Sequence, residues 1–278
     1  MKKTVIAVAS LLLGATAYGQ GGYASFSVGY GIGFPSEDLG IETVTNPSTL
    51  EVTEKNIYGT LGNGIGINLT PGYMLSEHFG AEIGLSYFMG SEVTTSSDEL
   101  EGFYTDEFSG QTSQFRVNPS LVVRSGGDGI SLYSKVGLLL PVTGTTVGRR
   151  ERTGNGTALN PDISIETETI GALSLGYTGA IGVNLALSDK LSLFGEVSGA
   201  FLRIKSNETE ITKFEQNGTN QLDNLSTGDK ETVYVDELNG NTNQQGGTNY
   251  DDTKPSEALE FKRNFNSTFI NVGVTFKF

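Results

Sequence analysis

The chain contains no cysteine and no tryptophan, one histidine and 7 prolines in 278 residues. Without cysteine there is no disulfide, thiolate nucleophile, iron–sulfur ligand or cysteine zinc site. A single histidine, His78, excludes a histidine pair and a His-rich metal centre. Basic residues are scarce: 18 Lys and Arg against 32 Asp and Glu leave a net charge of -14, which suits nucleic acid poorly. No stretch reaches the ~18 consecutive apolar residues of a transmembrane helix. What the chain has in excess is glycine, 38 residues, roughly twice the usual share of about 7%. These glycines are scattered among Ile, Leu and Val, which fits neither collagen nor disorder.

The N-terminus has the three regions of a secretory signal: Lys2 and Lys3, the apolar run Val5–Leu13, and small residues at Ala17 and Gly19. Cleavage is expected before Gln20, giving a signal peptide over 1–19 and a single domain over 20–278. No cysteine follows the cleavage point to carry a lipid anchor.

From there the chain alternates with period two. In Phe79–Gly90 the odd positions Phe79, Ala81, Ile83, Leu85, Tyr87 and Met89 are apolar, and the even ones are mostly small or polar. Ile170–Leu187 and Phe269–Phe278 repeat the pattern. Tyr23–Phe34, Tyr58–Leu75 (with Leu61 on its apolar face), Phe115–Arg124, Ile130–Val142 and Leu191–Lys205 follow it less purely. Eight strands are therefore expected. Three connections are short turns (Ser76–His78, Ser125–Asp128, Ser188–Lys190). The other four, Pro35–Ile57, Ser91–Gln114, Thr143–Thr169 and Ser206–Lys262, are long and polar. Short and long connections alternating in this way describe an up-and-down meander with all its long loops at one end.

Which face is apolar decides the environment. A soluble, lipocalin-like barrel fills its interior with bulky apolar side chains. Here the second face is rich in Gly, Ser, Ala, Asn and Thr, with charges at Glu82, Arg116, Arg124, Lys135 and Glu196. A small polar interior inside an apolar exterior is the pattern of a transmembrane β-barrel, closed because hydrocarbon leaves an open edge unsatisfied. The expected fold is all-β: an eight-stranded antiparallel up-and-down transmembrane barrel. Tyr58, Tyr73, Phe79, Tyr87, Phe115, Tyr177, Phe201, Phe276 and Phe278 lie near segment ends, where interfacial aromatic girdles belong.

The exported N-terminus and the segments LSEHFGAEIGLSYF (Leu75–Phe88), IGVNLALSDKLSLFGEVSG (Ile181–Gly199) and INVGVTFKF (Ile270–Phe278) resemble the small outer-membrane β-barrel family of the OmpA type. The resemblance covers nearly all of Gly21–Phe278. It implies an outer-membrane location in a Gram-negative envelope, with membrane lipid and lipopolysaccharide as surroundings. It also implies that Val274, Phe276 and Phe278, preceded by Val272, are the C-terminal signal read by the barrel assembly machinery. Some relatives carry a peptidoglycan-binding domain after the barrel; here the sequence stops at the last strand.

The expected site is an interior charge cluster, Glu82, Arg116, Lys135 and Glu196, in which the two glutamates pair with Lys135 and Arg116 and plug the lumen. No catalytic, cofactor or metal residues are assigned. Eight-stranded barrels that act on lipid A resemble Ser–His or His-dependent acyl enzymes, but His78 falls in a short turn at the wrong end for surface lipid. The acidity is in the long loops: five acids to one lysine over 35–56, six acids and no base over 91–110, twelve acids to four lysines over 206–262. Asp223, Asp229, Asp236, Asp251 and Asp252 could ligate Ca²⁺, but a solvated acidic surface accounts for them without EF-hand spacing. Residues 216–252 read either as an extended hairpin or as disordered. The function expected is a monomeric surface protein, structural or interacting with an extracellular partner through its loops. A narrow conduit for small or apolar solutes is the alternative.

Overall fold

The computed structural model describes residues 21–278 except 35–36, 127–128, 156 and 158; the signal peptide expected over 1–19 lies outside the described residues. Eight strands form the barrel: β1 (Gly22–Gly33), β2 (Gly64–Met74), β3 (Phe79–Gly90), β4 (Tyr104–Arg124), β5 (Ile130–Thr153), β6 (Gly176–Ala186), β7 (Leu191–Phe201) and β8 (Ser267–Lys277). Each pairs antiparallel with its sequence neighbour. The barrel closes where β1 meets β8, in an unbroken register from Tyr23–Lys277 to Gly33–Ser267. Among the described residues no helix is long and apolar enough to cross a membrane.

The two-faced alternation sets which way each side chain points. On β1, Ser25, Ser27, Gly29 and Gly31 are buried while Phe26, Val28, Tyr30 and Ile32 are exposed. This inside-out partition runs around the wall: the exposed set is dominated by Leu, Ile, Val and aromatics, and the buried set by Ser, Thr, Asn and charged residues. All nine aromatics expected in the girdles are exposed. Two of the short turns are built alike. In each, a serine hydroxyl (Ser76, Ser188) accepts the amide three residues on, from Phe79 at 3.0 Å or Leu191 at 3.1 Å.

Four expectations are corrected. Tyr58–Leu75 is not one strand: Thr60–Asn63 is a turn before β2. The Thr60 hydroxyl, bonded to the Asn264 carbonyl at 2.9 Å, folds this turn over the lumen. Leu61 is thus buried inside at 2% exposure rather than facing outward, because period-two parity holds only along a continuous strand. The segment Ile170–Leu187 is likewise interrupted, with Ala172–Leu175 outside any strand before β6. Leu191–Lys205 breaks at Leu202, which is also buried in the lumen.

The fourth correction concerns the long connections, which are built largely of strands, except over 236–255. β4 and β5 run on to 21 and 24 residues, well past the ~9–11 needed to cross hydrocarbon. Glu37–Asn46 pairs with Glu51–Gly59 and lies parallel to Val93–Leu100, which pairs with β4. On the other side Ile163–Gly171 pairs with β5 and with Arg203–Gln216. The 216–252 stretch includes a helical turn at Thr227–Lys230, capped by Ser226, and the strand Glu231–Val235. These strands have no apolar stripe because neither face meets lipid. Thr, Val and Ile hold them extended while charges occupy both sides.

Leu61→Ala is expected to lower stability by about 2–5 kcal/mol, the cost of a buried cavity. The wall substitution Leu132→Ala should cost less, because lipid tails replace the lost contacts. Urea unfolding midpoints in lipid vesicles compare the two.

Candidate functional site

The lumen of an eight-stranded barrel is just wide enough for side chains to fill it. Two inward patterns of the same kind do so. Tyr23 on β1, Gly72 on β2 and Glu82 on β3 are register partners across three adjacent strands. Tyr133 on β5, Gly182 on β6 and Glu196 on β7 repeat the arrangement. In each case the tyrosine lies flat over the glycine and its hydroxyl donates to the glutamate beyond: Tyr23 to Glu82 Oε2 at 3.0 Å, Tyr133 to Glu196 Oε2 at 3.1 Å. A Cβ on Gly72 would overlap Tyr23 Cζ, and one on Gly182 would overlap Tyr133 Cζ. Only glycine leaves room for the ring.

Lys135 joins the two halves. Its ammonium lies 2.9 Å from Glu82 Oε1 and 3.0 Å from Glu196 Oε2, with side chains 18%, 5% and 11% exposed. It also sits 5.0 Å from the Tyr133 ring and 5.9 Å from that of Phe194. Asn271 Nδ2 donates to the remaining Glu196 oxygen at 3.2 Å and to Ser198 at 3.0 Å. Two carboxylates on one ammonium are therefore stabilised by two hydroxyls and an amide, as buried charges require.

Arg116 is placed differently from the expectation. It is 3% exposed, and it pairs with neither glutamate. Its Nε donates to Gln114 Oε1 at 2.8 Å, its guanidinium lies 4.1 Å over the Phe88 ring, and Nη2 has no hydrogen-bond partner among the described residues. Phe88 in turn meets Phe269 edge-on at 5.9 Å, within a buried apolar group that includes Leu61, Leu139, Leu202 and Phe265. Arg116 thus belongs to an upper, apolar layer, while Glu82, Lys135 and Glu196 form a lower, ionic one. A cavity of about 100 Å³ lies between them, and one of about 20 Å³ lies on the short-turn side of the ionic layer.

Charge alone points to Glu82, Lys135 and Glu196. Tyr23, Tyr133, Asn271 and the Phe88–Phe269 pair are found only by parity: each sits on the small, polar face of its segment, where a large side chain must point into the lumen. His78 lies in the first short turn, its Nδ1 3.2 Å from the Arg124 carbonyl oxygen. Val274, Phe276 and Phe278 all face outward, with the last two rings edge-on at 5.3 Å.

At the other end the polar strands are cross-linked by charge. Arg150 grips Asp106 through two bonds, at 2.6 and 3.0 Å, over the Phe108 ring. Arg149 reaches Glu92 and Glu166, each at 3.2 Å. Among the described residues no three His, Cys, Asp or Glu side chains gather as metal ligands. Two of the candidate aspartates are engaged in turns. Asp229 accepts from Ser226 and Gln245. Asp251 accepts from Thr253 and pairs with Lys254 at 2.7 Å, bonds that hold its carboxyl down at about 2.

Two outcomes follow from this geometry. Lys135→Met should cost about 3–5 kcal/mol by leaving two buried carboxylates without a counter-charge. Gly182→Val should cost about 1–3 kcal/mol by displacing Tyr133; both are read from unfolding midpoints. A carboxyl with a lowered folded-state value stabilises above its unfolded value of about 4 and loses that contribution as pH falls. The Thr253 amide donates to the same carboxylate at 3.1 Å, so its protection, measured as exchange relative to the free-peptide rate at each pH, should hold above pH 4 and fall as pH approaches about 2.

Three comparisons with known proteins bear on identity. No curated protein matches the chain. Among solved structures, the crystal structure of Neisserial surface protein A (NspA) aligns over 92% of this chain and 97% of that one, at 11% identity and a TM-score of 0.40, too distant to carry an inference. The family model described as "Outer membrane protein beta-barrel domain" matches residues 5–228, most of the chain. With its closed eight-stranded wall and inverted faces, this chain belongs to the outer membrane protein β-barrel family, and its place is the outer membrane.

Proposed function

We propose that this protein is a closed outer-membrane barrel with a structural or surface-interaction role, in adhesion or envelope integrity, and that it is not an enzyme. The observation that carries this reading is Lys135 held between Glu82 and Glu196, inside an eight-stranded wall whose next layer is Phe88, Leu139 and Phe269. Side chains at two levels leave no continuous water path through so narrow a lumen. That argues against the conduit.

The working surface is then the end bearing the long connections. The short turns face the periplasm and the long connections the exterior, as in barrels of this class. Their strands extend the wall into a folded, ion-paired, acidic rim, a rigid platform for an extracellular partner. The outward Val274, Phe276 and Phe278 serve the assembly machinery. The closed ladder, which leaves β1 and β8 no free edge, fits a monomer. His78, at the short-turn end, is out of reach of surface lipid.

Planar-bilayer recording tests the closed lumen. The parent should be silent, and Glu82→Ala/Glu196→Ala should stay silent because the apolar layer remains; adding Phe88→Ala to it, which opens both layers, should conduct. A triple variant no more conductive than its parent would show that these two layers do not close the barrel. Deletion of 217–255 with β7 and β8 left intact should abolish surface binding or adhesion while the barrel still assembles. Unchanged binding would refute the role given to the rim.

A further inference from the structure

The lipid-facing wall is not uniform. Ala24, Pro71, Ile83, Pro119, Leu138 and Tyr177 form one row across six consecutive strands, all on the outward face. Ala24 pairs with Pro71, Ile83 with Pro119 and Leu138 with Tyr177. The two seams between these pairs are interrupted. The β2–β3 register passes from Leu69–Leu85 directly to Gly72–Glu82, and the β4–β5 register from Val117–Leu140 to Ser120–Gly137. Each gap falls at a proline, which has no N–H to donate and which sheets confine to edges and bulges. Two such gaps in a closed wall, where an unpaired backbone group is costly, mark a loosened stretch.

Over that stretch the outer surface is concave. A groove of about 650 Å³ runs from Gly22 and Tyr73, near the short turns, to Leu138 and Tyr177. Pro71, Ala81 and Pro119 keep its floor low, while Leu121 and Val136, both more than 60% exposed, stand up beside it. Glu82 and Ser120 line both this groove and the lumen cavity, so the wall between them is one residue thick.

We propose that this groove holds one acyl chain of a membrane phospholipid, entering from the short-turn side. The groove is continuous with the lipid-facing belt, so its surroundings in the outer membrane are hydrocarbon. Its aliphatic and aromatic lining offers too few polar partners to hold ordered water. Left empty, the groove would forfeit dispersion contacts along its length. An acyl chain is the occupant that fills it, with Leu121 and Val136 standing beside the chain and Pro71, Ala81 and Pro119 beneath it.

Native mass spectrometry of the full-length protein, extracted in mild detergent, tests the assignment. The parent should retain one phospholipid per barrel. Ala81→Phe, which raises the groove floor, should retain several-fold less while keeping the heat-modifiable gel shift of a folded barrel. Equal retention by both, or retention of lipopolysaccharide in place of phospholipid, overturns the proposal. A second measurement does not depend on the filled variant folding. The chain has no tryptophan, so Tyr177→Trp at the groove and Val272→Trp on the far wall are each sole reporters. A minor fraction of phospholipid brominated on its acyl chains should quench the first more strongly. Equal quenching at the two positions overturns the proposal.

Discussion

Hydrocarbon provides no hydrogen bonds, so a sheet that crosses it must leave no edge unpaired. The ladder from Tyr23–Lys277 to Gly33–Ser267 meets that demand by joining the first strand to the last. Much else follows from closure at eight strands. It fixes a lumen just wide enough for side chains to fill, with only small cavities left between their layers. It also fixes two kinds of surface, an apolar exterior and a small, polar interior, and so the inverted alternation along every strand.

A narrow lumen in turn restricts what can be charged within it. Three charges on β3, β5 and β7 meet at one level, and their excess of carboxylate is offset by hydroxyls and an amide rather than by a second cation. The Tyr–Gly–Glu arrangement makes this geometry available twice. A glycine between tyrosine and glutamate lets the ring lie against the wall, so that the hydroxyl arrives at the carboxylate without blocking the lysine. Arg116 takes a separate solution, lying on an aromatic ring in the apolar layer above. Glycine abundance, the oddest feature of the composition, is in these places the condition for burying a tyrosine.

The polar half obeys other rules. Beyond the membrane both faces of a strand meet water, so the hydrophobic stripe that identifies a strand in sequence fades while the strand itself continues. Arg150 with Asp106, and Arg149 with Glu92 and Glu166, tie those strands together where no core can. Asp106, Glu92 and Glu166 are thereby held in ion pairs between those strands.

The sequence by itself determined the eight crossings, their alternating connections, the outward girdle aromatics and the inward placement of Glu82, Lys135 and Glu196. All of these are consequences of period-two parity, a local property of the extended backbone. Parity also held the inward Tyr23, Tyr133 and Phe88, although their size on a small-residue face was the only sign of them. It could not follow the chain through turns, which is why Leu61 was expected outside and is found in the lumen. Nor could it say which inward groups meet, since that depends on barrel shear and on register between strands far apart in sequence. Only the tertiary structure decided that Lys135 takes both glutamates and Arg116 neither. It alone set Pro71 and Pro119 in one row of the wall, because that alignment exists only once six strands lie in register.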